Sequence, residues 1–330
     1  MMPEEDALKQ DSNPIAWLLD RDQPAVRALT LTGLLHQKAT DADVRQARAA
    51  VPKIGWAAQI LDAQLPGGFW DNSRELNRPK YLATFWKFLI LCDLGVTLEE
   101  PRMRQTCDLL VARASRPDGW FSFWDESHFC MTGQIAGSLL RLGYPHRRRV
   151  FHALDWIAAE QKRDGGCHCF PSEKGTLDCW QGLSAFAALP RNQWTSEIQC
   201  SADRGSEFYL KRGLLREGRV RYNPWFRLHS PTHYFYDFLV GLEVLTALGY
   251  EKDARLARAV RLLKAKRRVD GRWAADRVHP DVEGLARRDY HRFEPRWPVP
   301  FSLESAGKPS KLITLRAMRV LQRVEGKDDC

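Results

Sequence analysis

The sequence predicts an all-α fold, an α/α toroid of about six inner and six outer helices, on three observations. A glycine-centred turn recurs along the chain, amphipathic and apolar helical patterns alternate between the turns, and the two ends of the chain echo one another. The turn reads PGGFW at 66–70, PDGW at 117–120, DGGC at 164–167, EGRV at 217–220 and DGRW at 270–273. From Gly67 through Gly119, Gly165 and Gly218 to Gly271 the steps are 52, 46, 53 and 53 residues. A period so nearly constant marks an array of supersecondary units, each too small to bury its own apolar face.

Each turn follows an amphipathic pattern, as in 150–161, where Val150, Leu154, Ile157 and Ala158 share one helical face. These are the outer helices. The more apolar stretches between turns, 81–94, 130–142, 179–189, 233–248 and 311–324, are the inner ones; several stop at Gly95, Gly143, Gly249 or Pro190, the residues expected to end a helix. A strand reading fails because the runs are long, rich in Leu and Ala, and periodic at 3.6. PAVRALTLTGLLH at 24–36 matches PSKLITLRAMRVL at 309–321, supplying a sixth inner helix and closing the ring. An open solenoid is the architecture to be distinguished from it. The whole chain, 1–330, is expected to be one domain, with 1–13 a flexible extension and 276–309, rich in Pro, Arg and Glu, a loop or lid.

Composition fits this and excludes other classes. With 44% hydrophobic and 28% charged residues and a mean hydropathy of -0.44, the chain reads as globular and without an apolar run long enough to span a membrane. Its first residues lack the pattern of a secretory signal, so a cytoplasmic location is expected and the eight cysteines read as core residues or metal ligands. The net charge of +9 is spread over Arg147–Arg149, 264–268 and similar runs. It suits an anionic ligand; no nucleic-acid partner is expected, because no recognised motif accompanies the charge. The oligomeric state is not encoded in these features.

Cysteine and histidine form the densest chemical cluster. Cys130 and Cys179 each open an inner helix as C-x-x-G, which places them at one rim; Cys167, His168 and Cys169 lie on the loop between, and His233 opens the next inner helix. Thiolates with one imidazole suit Zn²⁺, the expected cofactor, with Cys130, Cys169, Cys179 and His233 as preferred ligands. Cys167, His168, His128 and His229 are alternatives, and plain core packing of the thiols is the competing reading. Cys167 also stands where other turns carry Trp70 and Trp273.

The helix, Q-x-x-D-G-x-W turn, helix grammar, with WLL and PAVR near the start and GKPSK, IT, RA and RVL near the end, resembles the prenyltransferase and squalene-cyclase repeat superfamily over about 14–322. Short bacterial squalene-cyclase-like or prenyltransferase-repeat proteins are the nearest likeness. The resemblance implies a small or isoprenoid-like substrate in the central cavity and prenyl transfer, alkyl transfer or cyclisation. It also implies a metal-binding Asp near the Cys of an inner-helix start. Asp178 directly precedes Cys179, one position out of that register, and helix capping is its other reading. Lys174 is similar to a lysine that contacts diphosphate in that superfamily. The cyclase acid run D-x-D-D is missing; the nearest string, Asp41 to Val44, precedes an outer helix.

Of the aspartates on inner helices, Asp93 and Asp237, the sequence favours Asp237 as a catalytic group, one turn from His233 near the metal, with Asp178 the second catalytic candidate. Trp86, Trp124, Trp180, Tyr234 and Tyr236 are the aromatic candidates for lining the cavity, and Lys174, Lys308 and Lys311 for meeting an anionic substrate. Two functions follow: a zinc-dependent transferase or cyclase acting in the cavity, or a non-catalytic binding toroid stapled by structural zinc. The fourth ligand separates them, since three protein ligands leave an open metal position and four fill it.

Overall fold

Glycine explains the period of the chain. In the computed structural model, which describes residues 13–167, 175–177, 179–215, 223–277 and 303–326, every described glycine turn abuts the next outer helix. A Cβ at Gly68 would lie 2.7 Å from the Gln105 carbonyl carbon, and one at Gly165 would lie 2.3 Å from the Arg204 carbonyl oxygen. Both residues also have positive φ, at +83° and +87°, so any side chain there is excluded twice over.

The helices are α1 (Pro14–Leu18), α2 (Pro24–Gly33), α3 (Ala42–Ala50), α4 (Gly55–Asp62), α5 (Thr84–Asp93), α6 (Pro101–Ala114), α7 (Phe129–Leu142), α8 (Arg147–Glu160), α9 (Gln181–Ala188), α10 (Ser196–Leu210), α11 (Phe238–Ala247), α12 (Ala257–Ala265) and α13 (Lys311–Glu325). Among the described residues there is no strand beyond isolated bridges, and no helix is long and apolar enough to cross a membrane. The inner ring is α2, α5, α7, α9, α11 and α13. Helices α1, α4, α6, α8, α10 and α12 lie outside, and α3 covers α2 through Val44 and Ala47 against Ala28 and Leu31.

Around the ring α5 packs on α7, α7 on α9, α9 on α11, α11 on α13 and α13 on α2. The circle closes where Gly95, after α5, meets Leu29 of α2, and where α4 touches both helices. The outer layer closes too: the last glycine turn, at Gly271, rests on Pro14 of α1, and Lys311 at the start of α13 binds Asp20 at 2.7 Å and the Trp17 carbonyl. The expected toroid is therefore present and the open solenoid is excluded.

A threonine clasp fixes three of the turns to their inner helices. Thr314 Oγ1 accepts from the Trp273 amide at 2.9 Å and donates to its carbonyl at 3.3 Å. Thr132 does the same for Phe121, at 3.0 and 3.1 Å, and Thr84 for Trp70, at 3.0 and 3.3 Å. The indoles of Trp70 and Trp273 then donate to Ile60 and Leu263, each ten residues upstream in the outer helix, at 2.7 and 2.8 Å. Cys167 takes the aromatic's place in the third turn. It is buried, its carbonyl accepts from the Thr176 amide at 2.8 Å, and burial pushes its thiol pKa up, as for a packed hydrophobe.

The C-x-x-G strings have a packing cause. A Cβ on Gly133 would lie 2.6 Å from the Gln181 carbonyl carbon, and one on Gly182 would lie 2.7 Å from the Phe129 ring, so both glycines let α7 and α9 approach closely. Inner helices start later than the sequence pattern placed two of them. The expected start at Tyr81 becomes Thr84, and the expected start at His233 becomes Phe238, because Pro231 and the left-handed His233 (φ +47°) hold 230–236 out of the helix and Asp237 caps it.

Candidate functional site

All six inner helices line one chamber of about 440 Å³ on the ring axis. That volume lies within the range of small-molecule pockets. Its middle is aliphatic, with Leu29, Leu89, Ile90, Val240, Val244, Leu312 and Leu315 among the lining side chains. Its two ends differ because the inner helices run parallel.

At the N-terminal ends of the helices the chamber is shut by 230–236. Gln134 donates to the His233 carbonyl, Gln181 to the Tyr234 carbonyl at 2.8 Å, and the Trp180 indole to the same Tyr234 oxygen at 3.3 Å. Outside this plug Lys80 and Tyr81 both donate to the Tyr234 hydroxyl, at 2.8 and 3.1 Å. The His233 ring lies against Tyr81 and Trp86, with centroids 5.1 and 5.6 Å apart. Burial pushes its pKa down to about 3, helped by His229 and Lys80, so the imidazole there is neutral at physiological pH.

At the C-terminal ends lie Asp93, Arg141, Ala247 and Arg323, of which the first three are exposed, whereas Gln134, Gln181, Ser230 and His233 are buried. Among the described residues, then, the chamber opens at this end. Arg316 is paired with Glu243 through Nε and Nη2, at 2.8 and 2.6 Å. Asp93 presents its surface to the chamber yet has protein around it. That desolvation raises its carboxyl pKa above the usual range, with Glu243 adding, against the opposing pull of Arg141 and Arg316.

Of the residues singled out from sequence, Trp180 and His233 line the chamber. Asp237, favoured over Asp93, is not among the lining residues; it accepts from the Val240 amide at 2.9 Å as the cap of α11 and pairs with His229 Nδ1 at 2.8 Å. Burial alone would raise its pKa, but His229, Arg316 and the Val240 amide outweigh that and hold the carboxyl below the usual range. Tyr236 is in the core with its hydroxyl donating to the Leu214 carbonyl at 2.9 Å, and the Trp86 indole donates to the Asn77 carbonyl at 3.0 Å. Trp124 is exposed against His128, and Lys308 is exposed as well. Lys311 is committed to Asp20 and the Trp17 carbonyl. Tyr234 contributes its backbone oxygen to the plug.

Cys130 lies in the first turn of α7 and Cys179 is buried just before α9. Cys169, Lys174, His168 and Asp178 lie outside the described residues. Among the described residues no group of three or more His, Cys, Asp or Glu side chains is arranged to hold a metal ion, so Cys130, Cys179 and His233 do not by themselves form a metal site.

Sequence reading missed Arg141, Glu243, Arg316, Arg319 and Arg323. The signal was there: Arg316, Arg319 and Arg323 stand at i, i+3 and i+7 on a helix assigned to the inner ring. Charge so placed must face a neighbour or the chamber.

Fold and chamber define an α/α toroid with one apolar-walled, small-molecule-sized cavity on its axis. No protein-family model matches the chain, and no curated protein matches it. Among solved structures it is similar to a protein from Actinoplanes, at 16% identity over 98% of this chain and 100% of that one, with a TM-score of 0.48. It is also similar to the type II terpene cyclase MstE from Scytonema, at 16% identity over 97% and 98% of the two chains, with a TM-score of 0.48. A variant of that cyclase in complex with geranylgeranyl dihydroxybenzoate gives 15% identity over 98% of each chain and a TM-score of 0.48.

Proposed function

We propose that the chain is an enzyme that takes an isoprenoid-like molecule into the chamber and cyclises or isomerises it by acid catalysis, with Asp93 as proton donor. The supporting observation is a carboxylic acid whose pKa is raised, facing an otherwise largely aliphatic chamber. A raised pKa favours the protonated carboxyl that can give its proton, and the ideal pKa of such an acid lies near the working pH. The proton goes to a carbon–carbon double bond of the guest, whose π electrons form the new C–H bond. Arg141 and Arg316 then stabilise the carboxylate left behind. The carbocation is sheltered by aliphatic walls, with the Trp180 face as its cation–π partner, and loss of a proton from a neighbouring carbon to the carboxylate ends the reaction with no net redox change.

Incubation with farnesol and geranylgeraniol, read by mass spectrometry for isomeric products, tests this. Asp93→Asn lowers conversion by about 10²–10⁴-fold, the usual range for a general acid. Conversion that survives the substitution contradicts the assignment. The wild-type rate is also expected to fall as pH rises through the raised pKa of Asp93.

One observation favours the second reading, a binding toroid without chemistry. Among the described residues the end of the chamber that carries Asp93 is open to water, and carbocation chemistry needs water kept out. Saturable binding of both alcohols without conversion would establish it. Zinc at the closed end is a separate proposal; it requires about one zinc per chain by elemental analysis, reduced in Cys179→Ala, and metal-free protein purified without chelator removes it.

A further inference from the structure

The geometry points to an oxyanion site at the open end of the chamber, built by Arg141, Arg319 and Arg323, that receives the phosphate or carboxylate head of an amphipathic guest. All three line the chamber. They differ from Arg316, whose charge Glu243 already answers. Arg141 donates to the Ser138 hydroxyl at 3.0 Å and Arg323 to the Thr246 hydroxyl at 3.3 Å, both neutral acceptors. Among the described residues Arg319 has no hydrogen-bond or ion-pair partner; its guanidinium lies against Gly33, where a Cβ would come within 3.1 Å of it.

Of the carboxyls beside them, Glu243 is paired with Arg316, Glu251 acts on Arg323 from beyond ion-pair distance, and Asp93, in no ion pair among the described residues, has its pKa raised by desolvation. Helix-end compensation is the simpler explanation for Arg141 and Arg323, since cations are favoured in the last turn of a helix. It does not explain Arg319, further back in α13 and one turn before Arg323 on the same face. Like charges so placed repel, and each guanidinium keeps a planar fork of donors suited to an oxyanion. The aliphatic middle of the chamber then takes the tail. Direction of entry follows: head at the open end, tail toward Gln134, Gln181 and the 230–236 plug.

This inference rests on the chamber being a guest site, and it is independent of the acid chemistry. Calorimetric titration of the full chain with farnesyl phosphate, farnesoic acid, farnesol and inorganic phosphate tests it. The expected result is at least about tenfold tighter binding of one or both acidic guests than of farnesol. The acidic guest preferred identifies the head, and inorganic phosphate alone binds more weakly than farnesyl phosphate. In Arg319→Gln and in Arg323→Gln the preference falls while farnesol affinity is unchanged. Added salt weakens the acidic guests alone, a readout that needs no variant.

Equal affinity for charged and neutral guests, or a preference that persists in the double variant, overturns the site while leaving the chamber reading intact. Inorganic phosphate binding as tightly as farnesyl phosphate also overturns it, since the site would then serve a free anion. No binding of farnesol or either acid overturns both readings.

Discussion

The two ends of the inner ring are built from parallel helices of one repeat, yet they are finished in opposite ways. At the N-terminal end polar groups are buried and mostly answered: Gln134 and Gln181 donate to backbone carbonyls, although Gln181 Oε1 has no partner among the described residues, and Asp237 caps α11 while holding His229. At the C-terminal end three arginines face the chamber with neutral acceptors or none among the described residues, beside a carboxyl pushed toward its neutral form. Satisfied polar groups stabilise a fold, and unsatisfied ones at a cavity are poised for a ligand. On the proposed function, the closed end is the structural one and the open end the functional one.

Substitutions should break the molecule unequally along this division. The largest effect is expected for Gly133→Val at the closed end, where the Cβ would strike the Gln181 backbone and force α7 from α9. A loss of about 3 kcal/mol or more, read by denaturant unfolding, is expected. Asp237→Ala follows, removing a helix cap and stranding the buried His229, with a cost of about 2–4 kcal/mol. Its stability contribution has a definite pH sign. The Asp237 pKa is lower folded than unfolded, so the contribution is present above the unfolded value of about 3.9 and is lost as pH falls through the folded value.

Thr314→Val, which opens one clasp, should cost about 1–3 kcal/mol through the unanswered Trp273 amide. The smallest change carries the opposite sign. Asp93 has a raised folded pKa, so its effect runs the other way: the fold loses stability as pH rises above the unfolded carboxylate value and through the folded one. Asp93→Asn is therefore expected to raise Tm slightly near neutral pH while abolishing turnover. A lowered Tm would place Asp93 among the structural groups.

Much of this division was legible before any coordinates. The turn glycines, the alternation of helix types and the echo of 24–36 in 309–321 are steric and periodic signals, and the ring follows from them. Helix starts were less legible at 233–237, although an Asp immediately before the apolar run FLVGLEV is itself a cap signal that places the start at Phe238. The sequence reading turned to the closed end because Cys and His announce chemistry by type. Arginine announces it only by position: on an outer helix Arg319 would be ordinary surface, and on an inner helix it cannot be. Asp93 is hidden for the same reason, since its pKa is set by how the ring surrounds it.

The central claim is that the axis of the ring holds a guest. Ala187→Trp places an indole into the chamber from α9, and titration with farnesyl phosphate, alongside the melting temperature, reads the consequence. One guest per chain in the unaltered protein, and binding lost in a variant that still melts cooperatively, is the predicted result. Undiminished binding to the folded, filled variant would contradict it.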